Sequence, residues 1–463
     1  MTDMEPQALN RQNTADFRPG ERVQPASLRK RNRFTPPTRW IKFATELLRL
    51  PTAPFHEQNI MLWVWQFARN RGLPVRLDDA GNLIVDFVPD DADPGLRRLL
   101  FTAHMDHVGF WALGPSDNAP ADDGLLRAHW MGRFPEELFV GAPVTFWTGG
   151  RPLSSIEPDL SGPGLDASRA RIGGKRVTGT IDRVVSYNPA GDVAQVDVRV
   201  DEPVEPGSIG MWSLPEPTHF NGRLSGGAID DVAGVAALVC LMDSFNRAEL
   251  RRPVTCLFTR CEEGGFFGAI RYCRQHFGPE ASAPEAARPE LVVSVEASKA
   301  LPLTPLGSGP IARVGDRHGV FDPEVCAWVD RCAQGLAERH RDFNYQRRLM
   351  DGGTCESSVF QAWTGRAGAV CIPLGNYHNF NPATGALDAE TVDVSDWGNL
   401  VRLMLEMTGH TGTAGGVYDS FRTWCEDWEQ RHAGLYRDPS GLAPDAAPTD
   451  TPPDTPDPPA ESG

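Results

Sequence analysis

The spacing of apolar residues changes character several times along this chain. From Thr38 it is helical: TRWIKFATELLRL predicts one helix, PTAP breaks it, and EQNIMLWVWQFARNRG predicts a second. Short strand-like runs follow, VRLDD, a turn at AGN, LIVDFV and then RRLLFTAH. From about Leu113 to Asn221 Gly, Pro and polar clusters separate short alternating runs: APVTFW, KRVTGTIDRVV, AQVDVRV and GSIGMW. This stretch predicts a small β domain of barrel or sandwich type. Trp111, Trp130, Trp147 and Trp212 flank or lie in it and are read as core rather than as an association surface. Helix–strand alternation then resumes with DDVAGVAALVCLMDSF, PVTCLFTR, FFGAIRYCRQHF, ELVVSVEA, DPEVCAWVDRCAQGLAERH, AGAVCIPL and VSDWGNLVRLMLEMTG.

An α/β domain over residues 38–112 and 222–411, interrupted by a β insertion over 113–221, is therefore expected. A C-terminal helix over 412–436 puts Val417, Phe421, Trp424 and Trp428 on one stripe, expected to dock on its own chain. Residues 1–37 lack periodicity, and 437–463 are rich in Pro, Asp and Ala. Both are expected to be disordered.

Composition narrows the partners. The chain has 463 residues, 40% hydrophobic and 23% charged, with a formal net charge of -16. That is a soluble globular balance whose sign argues against nucleic acid or an anionic membrane as partner. The basic run LRKRNR, Leu28 to Arg33, is read as a solvated arm. Nine cysteines occur, with no C-x-x-C pair. An odd count without that spacing suggests reduced, mostly buried thiols. No apolar run reaches the roughly 18 residues of a membrane span, and the first twenty residues lack the apolar core of a secretory signal. Cytoplasmic residence is the expectation.

The chemistry concentrates at strand ends. LLFTAHMDHVGF ends a buried strand in His104, Asp106 and His107. In a continuing strand His104 and Asp106 share a face, so Asp106 could hold the second ring nitrogen of a ligating His104. GGAIDDVAGVAAL places Asp230 and Asp231 before an apolar helix, where an N-cap would explain one acid but not two. FTRCEEGGFFGA places Glu262 and Glu263 after a strand; adjacent extended side chains point apart, so one can hold a metal while its neighbour faces a substrate. Glu296 ends LVVSVEA, where a carboxylate needs a cation or an Arg. His378 follows AGAVCIPL. Each signal alone has an ordinary explanation. Together they lie past the carboxyl ends of predicted strands, where open α/β sheets bind ligands. Mixed N/O ligation without Cys favours a paired Zn, Co or Mn site.

The ordered set H-x-D, D-D-x-x-G, E-E-G, E, H resembles the di-metal aminopeptidases. The closest likeness is to the branch holding tetrahedral and glutamyl aminopeptidases, some of which are labelled endoglucanases. AHMDHVGF, AIDDVAG, DGGTCESS and GSGPIARVGD are similar to its motifs, over roughly residues 38–411. The resemblance implies a mixed-sheet α/β metallopeptidase domain, phosphorylase/hydrolase-like, with an inserted small β-barrel-like domain. It implies two divalent ions, zinc first, with cobalt or manganese as alternatives. His104, Asp230 and Glu296 would hold one ion, and Asp230, Glu263 and His378 the other. Glu262 would be the general base, with Asp106 supporting the catalytic group, and the Asp230–Asp231 peptide would be cis. The implied activity is removal of N-terminal residues from peptides by a homo-oligomer assembled through the β insertion. A related carboxypeptidase or deacylase and a non-catalytic scaffold are the alternatives. Three positions depart from the pattern: His107 stands for Glu, Glu296 for Asp and Cys355 for Asp. His107 is read as a wall or hydrogen-bonding residue rather than an extra ligand. GSGPIARVGD lacks the third Gly of a dinucleotide loop, and no G-x-S-x-G element suggests a serine hydrolase.

Overall fold

The structure is a computed structural model that describes residues 33–93, 95–96, 98–117, 124–245, 250–278, 291–410 and 419–432. The Pro/Asp-rich tail, nearly all of the N-terminal arm with most of its basic run, and Val417 lie outside the described residues.

Among the described residues the protein is an α/β structure built on one 11-stranded mixed sheet, with a closed six-stranded barrel beside it. The sheet runs from Val75–Leu77 through Leu83–Phe87, Val254–Thr259, Leu99–His104, Leu291–Lys299, Ala367–Gly375, Glu390–Asp393 and Arg223–Gly226 to Thr218–Phe220. Ile311–Asp316 pairs with Ala367–Gly375, and Gln346–Met350 pairs with Ile311–Asp316. The four strands Val254–Thr259, Leu99–His104, Leu291–Lys299 and Ala367–Gly375 are mutually parallel and buried along almost their whole length. Covered on both faces, they read as the apolar runs that the sequence shows.

One face carries helices Thr38–Leu48, Gln58–Arg69, Ile229–Ser244, Pro323–Arg339 and Val394–Gly409. The helix Ile229–Ser244 lies between two of its neighbours and the sheet, which is why it is apolar all round. Asp322 and Asp393 cap two of these helices by accepting from Val325 N–H at 2.8 Å and Ser395 N–H at 2.9 Å. The other face carries Phe267–Phe277 and Glu356–Thr364 over Ile84, Leu100, Leu257 and Val292.

The barrel closes in the order Val193–Val200, Leu125–Met131, Gly109–Pro115, Ile209–Trp212, Pro143–Thr148 and Lys175–Tyr187. Its core is aromatic, with Trp130 and Trp212 at 5.0 Å and Phe110 and Trp130 at 4.6 Å between ring centres. These two tryptophans are buried as expected, whereas Trp111 is half-buried between the rings of His56 and His129. Gly210 allows the closure, since a Cβ there would stand 2.6 Å from the Phe146 ring. The barrel strands begin at Gly109 and end at Trp212. Thr218–Phe220, read from the sequence into the insertion, instead forms the edge of the large sheet.

Candidate metal centre

The four parallel strands end on one side of the sheet, and their carboxyl ends carry His104, the loop with Glu262 and Glu263, Glu296, and the turn to His378. Asp230 enters from the start of the buried helix, where the Asp230–Asp231 peptide is cis. All five residues expected to ligate come together. Asp230 Oδ1 lies 3.6 Å from His104 Nε2, and its Oδ2 lies 3.9 Å from His378 Nε2. Glu296 Oε2 is 3.9 Å from His104 Nε2, and Glu263 Oε1 is 3.2 Å from His378 Nε2. Three overlapping triads result, His104–Asp230–Glu296, Asp230–Glu263–His378 and His104–Glu262–Glu263, each with candidate ligand atoms within 4.8 Å of one another.

The donor set fits a pair of cations. Asp230 Oδ1, Glu263 Oε1, Glu296 Oε1 and His378 Nε2 are buried without a hydrogen-bond partner. Groups so placed are costly unless something binds them. Nearest-neighbour gaps of 3.2–3.9 Å compare with about 3.4 Å between ligands around a tetrahedral ion held at ~2.1 Å. Both imidazoles have the required tautomer. His104 donates from Nδ1 to the Asp106 carbonyl at 3.0 Å, and His378 donates from Nδ1 to the Arg133 carbonyl at 3.1 Å. Nδ1 is thereby the donor in each ring, and Nε2, turned toward the acids, is the nitrogen that can serve an ion once the ring is neutral. Arg133 follows the barrel strand Leu125–Met131, so the barrel side helps to fix His378.

The electrostatics agree. Burial pushes the Glu296 carboxyl up to about 8, with Asp230 adding to the effect. Burial, Glu296 and Glu263 likewise hold Glu262 well above the carboxylate range. Burial opposes ionisation of Glu263, but His378 outweighs it and holds Glu263 at about 2. Burial also opposes charge on His378, yet Glu263 lifts it to about 9. The pocket is short of positive charge.

Asp106 stands differently from the sequence expectation. Its carboxylate is 3.5 Å from His104 Nδ1, and that ring bonds the Asp106 carbonyl instead. The carboxylate accepts from Glu262 N–H at 2.9 Å and Glu263 N–H at 3.1 Å. The strand ends at His104, so the period-two argument stops there. His107 donates from Nδ1 to the Asp230 carbonyl and bonds Asn379 Oδ1 at 3.0 Å, the hydrogen-bonding role expected of it. Cys355 turns away from the cleft into a small apolar cluster with Phe321, Cys326 and Ala369.

Sequence reasoning missed a buried pair beneath the glutamates. Arg260 Nε bonds Glu57 Oε2 at 2.8 Å, and Glu57 Oε1 accepts from Cys261 N–H at 3.0 Å. Arg260 also reaches the carbonyls of Phe55 and Gly164. A Glu57→Ala variant leaves that guanidinium buried and unpaired. Its stability is expected to fall by about 3–5 kcal/mol, read from the urea midpoint.

Residues 194–397 match the family model of the M42 glutamyl aminopeptidases. The M42 match supports a peptidase, and this is the family that the sequence motifs resemble. No curated protein sequence matches the chain. An aminopeptidase from the archaeon Desulfurococcus kamchatkensis is 20% identical with a TM-score of 0.60, over 80% of this chain and 95% of that one. The Pyrococcus horikoshii TET1 peptidase is 21% identical with a TM-score of 0.59, over 80% and 99%. A Thermotoga maritima endoglucanase is 18% identical with a TM-score of 0.53, over 79% and 96%. At such identities these likenesses show the fold, and the M42 fold is the one the sequence implies.

Proposed function

We propose that the protein is a di-metal aminopeptidase acting on peptides with an acidic first residue. One observation carries the reading: Asp230 presents one oxygen to each of two buried histidines, and each histidine has its own carboxylate beside it. His104, Asp230 and Glu296 would hold one ion and Asp230, Glu263 and His378 the other, zinc first by ligand chemistry. Such a pair, when bound, supplies Lewis acidity and a water acidified toward neutrality.

The chain's own groups do the rest. Glu262 lines the same cleft as Glu263 and the histidines, and Asp106 fixes its backbone. Its carboxylate would take the proton of the attacking water and return it to the departing amine. The cleft has a volume of about 360 Å³. Lys299, Arg317 and Arg133 line it and are exposed at its mouth. In a chain of net charge -16, a cationic mouth favours acidic peptides.

The assemblies named for its structural likenesses support a homo-oligomer, for which the barrel is the proposed contact. That one likeness forms a tetrahedron or a large octahedral shell is a property of that protein. All nine cysteines are free and eight are buried, which fits a reducing compartment such as the cytoplasm.

The test is hydrolysis of aminoacyl-anilides by metal-loaded protein. Glutamyl and aspartyl substrates should exceed leucyl in kcat/KM by about five-fold, the upper range of one exposed ion pair. Cleavage confined to N-acylated substrates would move the assignment to a deacylase. Metal binding without any turnover would make the protein a scaffold.

A further inference from the structure

Asp230 and His378 come from distant parts of the chain, yet one side chain holds the backbone of both. Glu390, fully buried in the strand Glu390–Asp393, accepts from Asp230 N–H through Oε2 at 3.0 Å. Through Oε1 it accepts from His378 N–H at 2.8 Å. The turn carrying His378 needs such a hold. Asn376, His378 and Asn379 all have left-handed backbones, with φ of 56°, 53° and 65°. Non-glycine residues keep that conformation only where their surroundings enforce it.

A second connection joins the same two segments through other side chains. His107 bonds the Asp230 carbonyl and Asn379 Oδ1, and Asn379 Nδ2 donates to Gly227 O at 3.2 Å. Asp230, Glu390, His378, Asn379 and His107 therefore form a closed ring of hydrogen bonds and chain links. Glu390 itself does not line the cleft.

We propose that Glu390 is a positioning residue: by gripping the amides of Asp230 and His378 together, it sets the spacing of the side chains that take the second ion. The inference rests on the metal-centre reading above. Groups that orient ligands without touching the ion typically govern affinity by ten- to a hundred-fold.

The test titrates zinc into chelator-stripped full-length protein, wild type beside Glu390→Gln, by calorimetry with elemental analysis. Glutamine has the same shape but one acceptor oxygen, so one of the two amides loses its partner. Two ions should bind the wild type. In Glu390→Gln one of them should bind about ten- to a hundred-fold more weakly, with the other less affected and the circular dichroism unchanged. An Asn379→Ala variant, which cuts the ring on the other side, should weaken the same ion. Wild-type affinity for both ions in folded Glu390→Gln overturns the proposal. Loss of the folded state in both variants makes Glu390 a folding residue and also overturns it. A wild type that binds no zinc sinks the metal-centre reading itself, which separates the two failures.

Discussion

Glu262→Gln is expected to keep both metals and lose about three orders of magnitude in kcat, the range of a positioned general base. The two consequences separate because the proposed reading divides the tasks of the neighbours Glu262 and Glu263. Glu263 Oε1 faces His378 Nε2 at 3.2 Å, in the triad with Asp230. Glu262 is held with its carboxyl above the usual range by burial, Glu296 and Glu263. Glutamine keeps the shape and the Asp106 bond to the backbone N–H but has no basic oxygen for a proton. Elemental analysis beside anilide hydrolysis checks both halves. A variant that loses metal as well would place Glu262 among the ligands, a position left open by its closeness to His104 and Glu263. A fully active variant would remove the proton-transfer role.

Most of the sheet was legible because its central strands are buried on both faces and so appear as continuous apolar runs. The long helices were legible through their periodicity. Other strands left weaker marks. Gln346–Met350 reads QRRLM, with its middle three residues exposed on the sheet margin. Thr218–Phe220 is exposed at every residue and pairs on one side with Arg223–Gly226. Such strands exist because a neighbour offers a ladder, not because their side chains demand burial. Barrel closure, too, depends on pairings such as Trp147 with Ile209, which local patterning does not encode.

The candidate ligands were legible for a related reason. Each is a charged residue at the end of an apolar element, a conflict that local physics does not resolve. The supporting groups were not. Glu57, Arg260 and Glu390 act through main-chain amides and carbonyls, and any residue has those. Asp106 is the instructive case. Strand alternation assigned its carboxylate to the His104 ring, but the chain turns after His104 and delivers it to the amides of Glu262 and Glu263. The residue type marked the site, and the turn decided the partner.

Asp230→Asn should cost the zinc-loaded protein most of its metal-dependent stability and leave the metal-free protein nearly unchanged. Without metal, Asp230 is a buried carboxylate that adds to the upward push on Glu296 and Asp231. Its Oδ1 has no hydrogen-bond partner. Removing that charge relieves repulsion but also gives up the attraction to His104 and His378, so the metal-free variant should lie within about 1 kcal/mol of metal-free wild type. With metal the balance changes. Zinc at about a thousand times its dissociation constant stabilises the wild type by about 4 kcal/mol per ion. A neutral amide cannot serve two cations at once, so the variant should lose most of that gain, bind at most one ion and fail to hydrolyse peptide. Thermal unfolding of both proteins, stripped and zinc-loaded, reads all four states. Parallel behaviour of the two proteins would mean that Asp230 serves the fold alone. A loss confined to the zinc-loaded protein would mean that its charge counts chiefly once cations share it.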